Sequence, residues 1–206
     1  MRTIIRNPFV AVAAPVLAVL LMALSIVFTS VDRDTLAAND LPVLTLPAVE
    51  VKAAPEFSTE QVTDDVLWLA RAIYSETKRP EEQELVAWTI RNRVETNYRG
   101  KDTFEETVLD PWQYSAFNRN SPKRHHYSSL APTSTAKGFQ TALRVAHDVY
   151  HAPTTLRPFP ETTRHFYSER SMVGGRTPAW ARGKRPVQLA DHDIDPRRFR
   201  FFAAIA

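Results

Sequence analysis

Between Phe9 and Phe28 the chain carries no charged side chain, and this run constrains everything that follows it. As a helix rising about 1.5 Å per residue, it is long enough to cross a hydrocarbon layer of about 30 Å. Arg2 and Arg6 precede it, and Asp32, Arg33 and Asp34 follow, so the apolar stretch does not lead directly into a small-x-small cleavage site. The pattern predicts an uncleaved membrane anchor over residues 1–31, with a cleaved signal segment as the alternative. The basic residues assign the N-terminus to the cytoplasm and the remainder to the periplasm or cell surface. The expected location is the inner membrane, single pass, or secretion if the leader is removed.

Residues 32–57 hold Pro42, Pro47 and Pro55 among alanines and valines, with no helical or strand period, and read as an extended linker. Residues 58–206 are then left to form one domain of roughly 150 residues, enough for a single core. The chain contains no cysteine, which removes disulfides and thiolate metal sites. Its net charge of +3 comes from scattered rather than clustered basic residues, so nucleic acid is not an expected partner.

Ordered structure is expected to start at Ser58, whose spacing to Gln61 fits a capping box, with Val62, Val66, Leu69 and Ile73 forming one helical stripe. Around the axis Glu76 falls about 20° from Leu69, so its carboxyl extends the buried stripe instead of opposing it. Pro80 suits the first turn of a second helix whose Leu85, Val86, Ala87, Trp88 and Ile90 form a broad apolar side. Glu81, Glu82 and Glu84 are expected to be solvated at its acidic start. A short helix after Thr103, with Glu106 completing a capping box, precedes a loop through Pro111. A third long helix is read from Ser134 to His151, with Phe139, Leu143, Ala146 and Tyr150 on one face. Two short strands, Thr163–Ser168 and Arg197–Phe202, complete a fold that is mainly α with a small β element, of α+β class.

Five segments in order, "LARAIYSE", "AWTIRNRV", "WQYSAF", "HFY" and "PAWAR" before the closing "RRFRFF", together resemble the SleB-type cell-wall hydrolases. The resemblance covers about Val66 to Phe202. It implies a lysozyme-like helical domain that cleaves peptidoglycan glycan strands between N-acetylmuramic acid and N-acetylglucosamine, with Glu76 at the catalytic position. Gln113, Ser115, Tyr167 and Trp180 are the candidate substrate-binding residues. One departure is plain: the family continues its catalytic segment with a small residue and a Gly-Glu pair, where this chain has Thr77, Lys78, Arg79 and Pro80.

The chemistry is consistent with that implication. Glycosidic cleavage needs a proton delivered to the leaving oxygen, and a carboxyl of ordinary pKa near 4.3 is ionised at neutral pH. Burial against apolar neighbours such as Leu69 and Ile73 would raise it. No second, equally placed carboxylate is evident, which favours a one-carboxylate mechanism over an ordinary two-carboxylate hydrolase; the resemblance implies that this is a lytic transglycosylase, in which Glu76 assists closure of a 1,6-anhydro ring. No metal and no cofactor are called for, and a monomer suffices.

Trp68, Trp88 and Trp112 are expected in the core, Asn92 at the helix junction, and Lys123, Arg124, His125 and His126 on a solvated loop. Two other readings stay open. His147 and His151, four apart on a helix, could hold zinc with His165, or with His192 and Asp191, in a wall amidase, although Asp148 stands where the usual zinc motif has glutamate. Alternatively the chain is a non-catalytic peptidoglycan-binding or scaffolding protein.

Overall fold

Helix formation begins at Thr63, not at Ser58. A computed structural model describes residues 57–189, 192 and 194–205; the expected anchor, most of the linker and Asp191 lie outside them. Ser58 caps only a single 3₁₀ turn, Thr59–Gln61, and Val62 is extended. The Thr63 hydroxyl then accepts from the Val66 N–H at 3.3 Å and opens α1, Asp64–Glu76. Two aspartates in the first turn, complementing the helix dipole, explain why the start lies here. Val66, Leu69 and Ile73 are fully buried, as their spacing predicts.

Helix α2, Pro80–Glu95, carries its proline in the first turn, where no intrahelical donor is needed. The Thr103 side chain accepts from the Glu106 N–H at 3.2 Å and caps α3, Phe104–Leu109. A short α4, Arg124–Ser128, interrupts the expected loop, and Tyr127 from it packs on the core. The last helix, α5, runs from Phe139 to His151 and starts five residues later than the sequence suggests. Gly138, at φ +81°, precedes it in the left-handed region, which stops any helix from continuing back through Lys137.

The core lies where α1 packs against α5, α2 and α3, with Leu85, Trp88, Ile90, Phe139 and Leu143 at its centre. Strands β1, Thr163–Tyr167, and β2, Arg200–Ala203, pair antiparallel, with Tyr167 opposite Arg200 and an irregularity at Arg164. Asn92 on α2 fastens this ribbon to the helices. Its Nδ2 donates to the carbonyls of Thr163, at 2.9 Å, and Pro160, at 3.2 Å. A second apolar cluster of Tyr167, Ala181, Phe202 and Ile205 sits on the ribbon beyond the main core. The chain is thus mainly helical with a two-stranded sheet, and among the described residues no helix is long and apolar enough to cross a membrane.

Candidate active site

Glu76 is the last residue of α1, and the junction that follows it is closed by the second helix. Thr77 leaves the helix extended, and its hydroxyl donates to Glu82. Gln83 Nε2 donates to the Thr77 carbonyl at 2.9 Å. Glu82 also receives a two-pronged bond from Arg198, Nη2 to Oε2 being 2.9 Å and Nε meeting Oε1. The solvated role expected of Glu82 is therefore corrected: its residue is 2% exposed. The physical reason is its bonding: Arg198 and the Thr77 hydroxyl hold the carboxylate against the junction, so the first turn of α2 closes over it. Glu81 is exposed, as expected.

The groove above this junction has a volume of about 350 Å³, and among the described residues Glu76 is the sole carboxylate lining it. Gln113 and Ser115 come to it from the loop after α3, and Tyr167 comes from the end of β1. The sequence predicted all four, and the fold brings them together although ninety residues separate the first from the last. Among the described residues no protein group hydrogen-bonds to the side chains of Gln113, Ser115 or Tyr167, so their polar atoms remain available. Phe166 and Phe199, with ring centroids 5.7 Å apart, supply an apolar wall.

Glu76 is enclosed deeply by protein yet keeps an opening to the groove. Desolvation pushes its pKa up to about 7, against the opposing pull of the Arg93 guanidinium. Arg93, only 4% exposed, donates Nη1 to the Tyr114 hydroxyl at 2.8 Å and Nε to the Arg164 carbonyl at 2.7 Å. No carboxylate pairs with it among the described residues, so its charge acts on Glu76 without neutralising it. Tyr114 is buried beside this pair. Desolvation raises its hydroxyl to about 12; Arg93 opposes the shift and Glu76 adds to it. Arg93 and Tyr114 were not singled out by the sequence. The signal available was a charged residue on the apolar side of α2, next to Asn92, which periodicity alone does not separate from a surface arginine.

Two tryptophans exchange roles. Trp180, expected to meet substrate, does not line the groove; it packs edge-on against Tyr167, 5.9 Å between ring centroids, and Phe202, 5.3 Å, as the lid of the second apolar cluster. Trp112, expected in the core, is 79% exposed and lines the groove beside Gln113. The reason is the backbone: Trp112 sits at φ +70° in the Asp110–Gln113 turn, which turns its side chain away from the core. Trp88 is buried and Trp68 packs partly buried against the core, as expected.

The histidines are divided. The His147 and His151 rings lie 4.6 Å apart on α5, with Phe57 edge-on to His147. His165 is on β1, its Nε2 3.0 Å from the Tyr98 hydroxyl. Desolvation first, then Arg93 and Arg164, lower its pKa to about 4, so it is neutral at pH 7. Among the described residues no three potential ligands gather around a metal position.

The chain matches no family model, no curated protein and no solved structure.

Proposed function

We propose that residues 58–206 form a peptidoglycan glycosidase acting as a lytic transglycosylase, with Glu76 as its one catalytic carboxyl. The observation that carries this reading is a single, unpaired glutamate opening into a groove, its pKa raised to about 7 while polar side chains stand free around it. A carboxyl raised into this range still holds its proton near neutral pH, the condition that favours acid transfer to a leaving oxygen. The ordered motifs that resemble the SleB-type hydrolases support the same reading, and a lysozyme-like arrangement of the helices is part of the proposal.

In this mechanism Glu76 donates its proton to the glycosidic oxygen as the bond to muramic C1 breaks. The carboxylate left behind lies within the field of Arg93, which stabilises it. It then takes the proton from the C6 hydroxyl while that oxygen bonds to C1, closing the 1,6-anhydro ring and restoring the acid. No water is consumed, in keeping with a groove lined by one carboxylate. Gln113, Ser115 and Tyr167 would hydrogen-bond sugar hydroxyls and acetamido groups. The Phe9–Phe28 run would hold this domain at the outer face of the inner membrane.

Mass analysis of fragments released from purified sacculi tests the proposal. Anhydro-muramic ends that disappear with Glu76→Gln support it. Reducing ends would indicate hydrolysis, free stem peptides an amidase, and sedimentation with sacculi without soluble products a binding protein.

A further inference from the structure

The turn Asp110-Pro111-Trp112-Gln113 closes with the Gln113 N–H donating to the Asp110 carbonyl at 3.2 Å. Proline second and a positive φ third are the features of a type II turn, whose third position is relaxed as glycine or asparagine. Here it is tryptophan at φ +70°, with its ring in solvent. The conformation is held from both sides. The Trp112 N–H donates to Asn118 Oδ1 at 2.9 Å, and Asp110 Oδ2 accepts from Arg99 Nε at 2.6 Å. Folding alone would be served better by glycine, so an exposed ring fixed in this backbone state points to recognition.

What the ring faces supplies the second observation. Trp112 lines the groove of Glu76 and also a larger cleft of about 720 Å³ walled by Phe117, Asn118, Arg119, Asn120 and Arg124. Trp112 is thus a residue that the two cavities share. Among the described residues no carboxylate lines the larger cleft, which carries two arginines and two asparagine amides. An indole face suits the C–H face of a pyranose ring, the amides suit acetamido groups, and the arginines suit carboxylates.

We propose that Trp112 and the cleft behind it are a second binding site for the same glycan strand, in which the strand crosses the indole and places a peptide-bearing muramyl unit against Arg119. The inference rests on the glycan reading of the Glu76 groove and adds to it a preference for strands that carry anionic stem peptides over uncharged ones. Arg124 already donates to the Phe117 carbonyl and shapes the cleft, which leaves Arg119, exposed and free of any salt bridge among the described residues, as the contact to probe.

The test uses the full chain carrying Glu76→Gln, titrated by calorimetry with two probes: uncrosslinked peptide-bearing glycan strands and an uncharged N-acetylglucosamine oligomer. Adding Trp112→Ala is expected to weaken both about tenfold, Trp112→Phe to retain most of the affinity, and Arg119→Glu to weaken the peptide-bearing strand alone. Affinity for both probes unchanged by Trp112→Ala, or an equal loss in Trp112→Phe, overturns the site. Equal effects of Arg119→Glu on both probes overturn the anionic preference. Cleavage of sacculi by the chain with Glu76 intact is scored separately. Trp112-dependent binding without cleavage defeats the enzymatic reading and leaves this site standing, whereas Glu76-dependent cleavage with Trp112-independent binding does the reverse.

Discussion

Glu76 and Glu82 stand six residues apart, on either side of one helix junction, and their pKa values move in opposite directions. Glu82 has almost no exposed surface, while Glu76 opens to a groove, so accessible area alone would assign the higher pKa to Glu82. The reverse holds. Desolvation acts on Glu82 too, but the bonds from Arg198 and Thr77 and the charges of Arg198 and Arg79 outweigh it, holding the carboxyl below its ordinary value. Among the described residues Glu76 has no such bond, and Arg93 only moderates its rise. Whether a buried carboxyl keeps its proton is decided by the partners it is given. The junction uses one glutamate as a structural anion and leaves the other facing the groove.

The largest effect expected from this contrast is on turnover. Glu76→Gln should cut glycan cleavage by about 10²–10⁴-fold, measured as soluble product from sacculi, with the helical circular dichroism intact. A collapsed spectrum would mean that Glu76 is structural like its neighbour, and the contrast would fail.

Glu82→Ala should act on stability instead, costing on the order of 2–4 kcal/mol in denaturant unfolding. That is somewhat below a fully desolvated pair, because Arg198 keeps an exposed edge. A double-mutant cycle with Arg198→Ala should show strong coupling, whereas the same cycle between Glu82 and Arg119 should not.

The pH dependences of stability should have opposite signs. A raised folded pKa means that the native state binds the extra proton between the ordinary value of 4.5 and about 7, so wild-type stability falls as pH rises through that window. Glu76→Gln should remove this loss and leave the protein more stable than wild type at pH 8, by on the order of 1–3 kcal/mol, but not at pH 4. Glu82, with its lowered value, stabilises above the ordinary carboxylate range and loses that contribution as pH falls through its folded pKa. Thermal melts of both variants from pH 3 to pH 8 separate the two slopes.

The smallest effect is at the link between them. Thr77→Val deletes one hydrogen bond to Glu82 and should cost about 1 kcal/mol, with the alkaline limb of the activity profile unmoved. A shift of that limb would mean that the junction tunes Glu76 and does not merely hold it.

Much of the helical scaffold could be read from the chain. Val66, Leu69 and Ile73 announce α1 by their spacing, Pro80 marks the first turn of α2, and Thr103 with Glu106 caps α3, because caps and periodicity are local and act through neighbours in sequence. Misplaced starts, at Ser58 and Ser134, arose where a nearby stronger cap or a left-handed glycine overrode a weaker signal. Gln113, Ser115 and Tyr167 were recognised by motif order, and the fold brings them to one groove.

By itself the sequence determined α1, α2, α3 and the body of α5, the apolar stripe that ends in Glu76, and an N-terminal run long enough for a membrane. Only the tertiary structure decided which glutamate would have its pKa raised, that Trp112 would face solvent while Trp180 covered an apolar cluster, and that Arg93 would lie buried with no carboxylate paired to it among the described residues. Those outcomes depend on groups far apart in the chain, Glu82 with Arg198 and Arg93 with Arg164, and on one backbone angle in a four-residue turn. Electrostatic and packing energies follow distance in space, which local pattern does not encode.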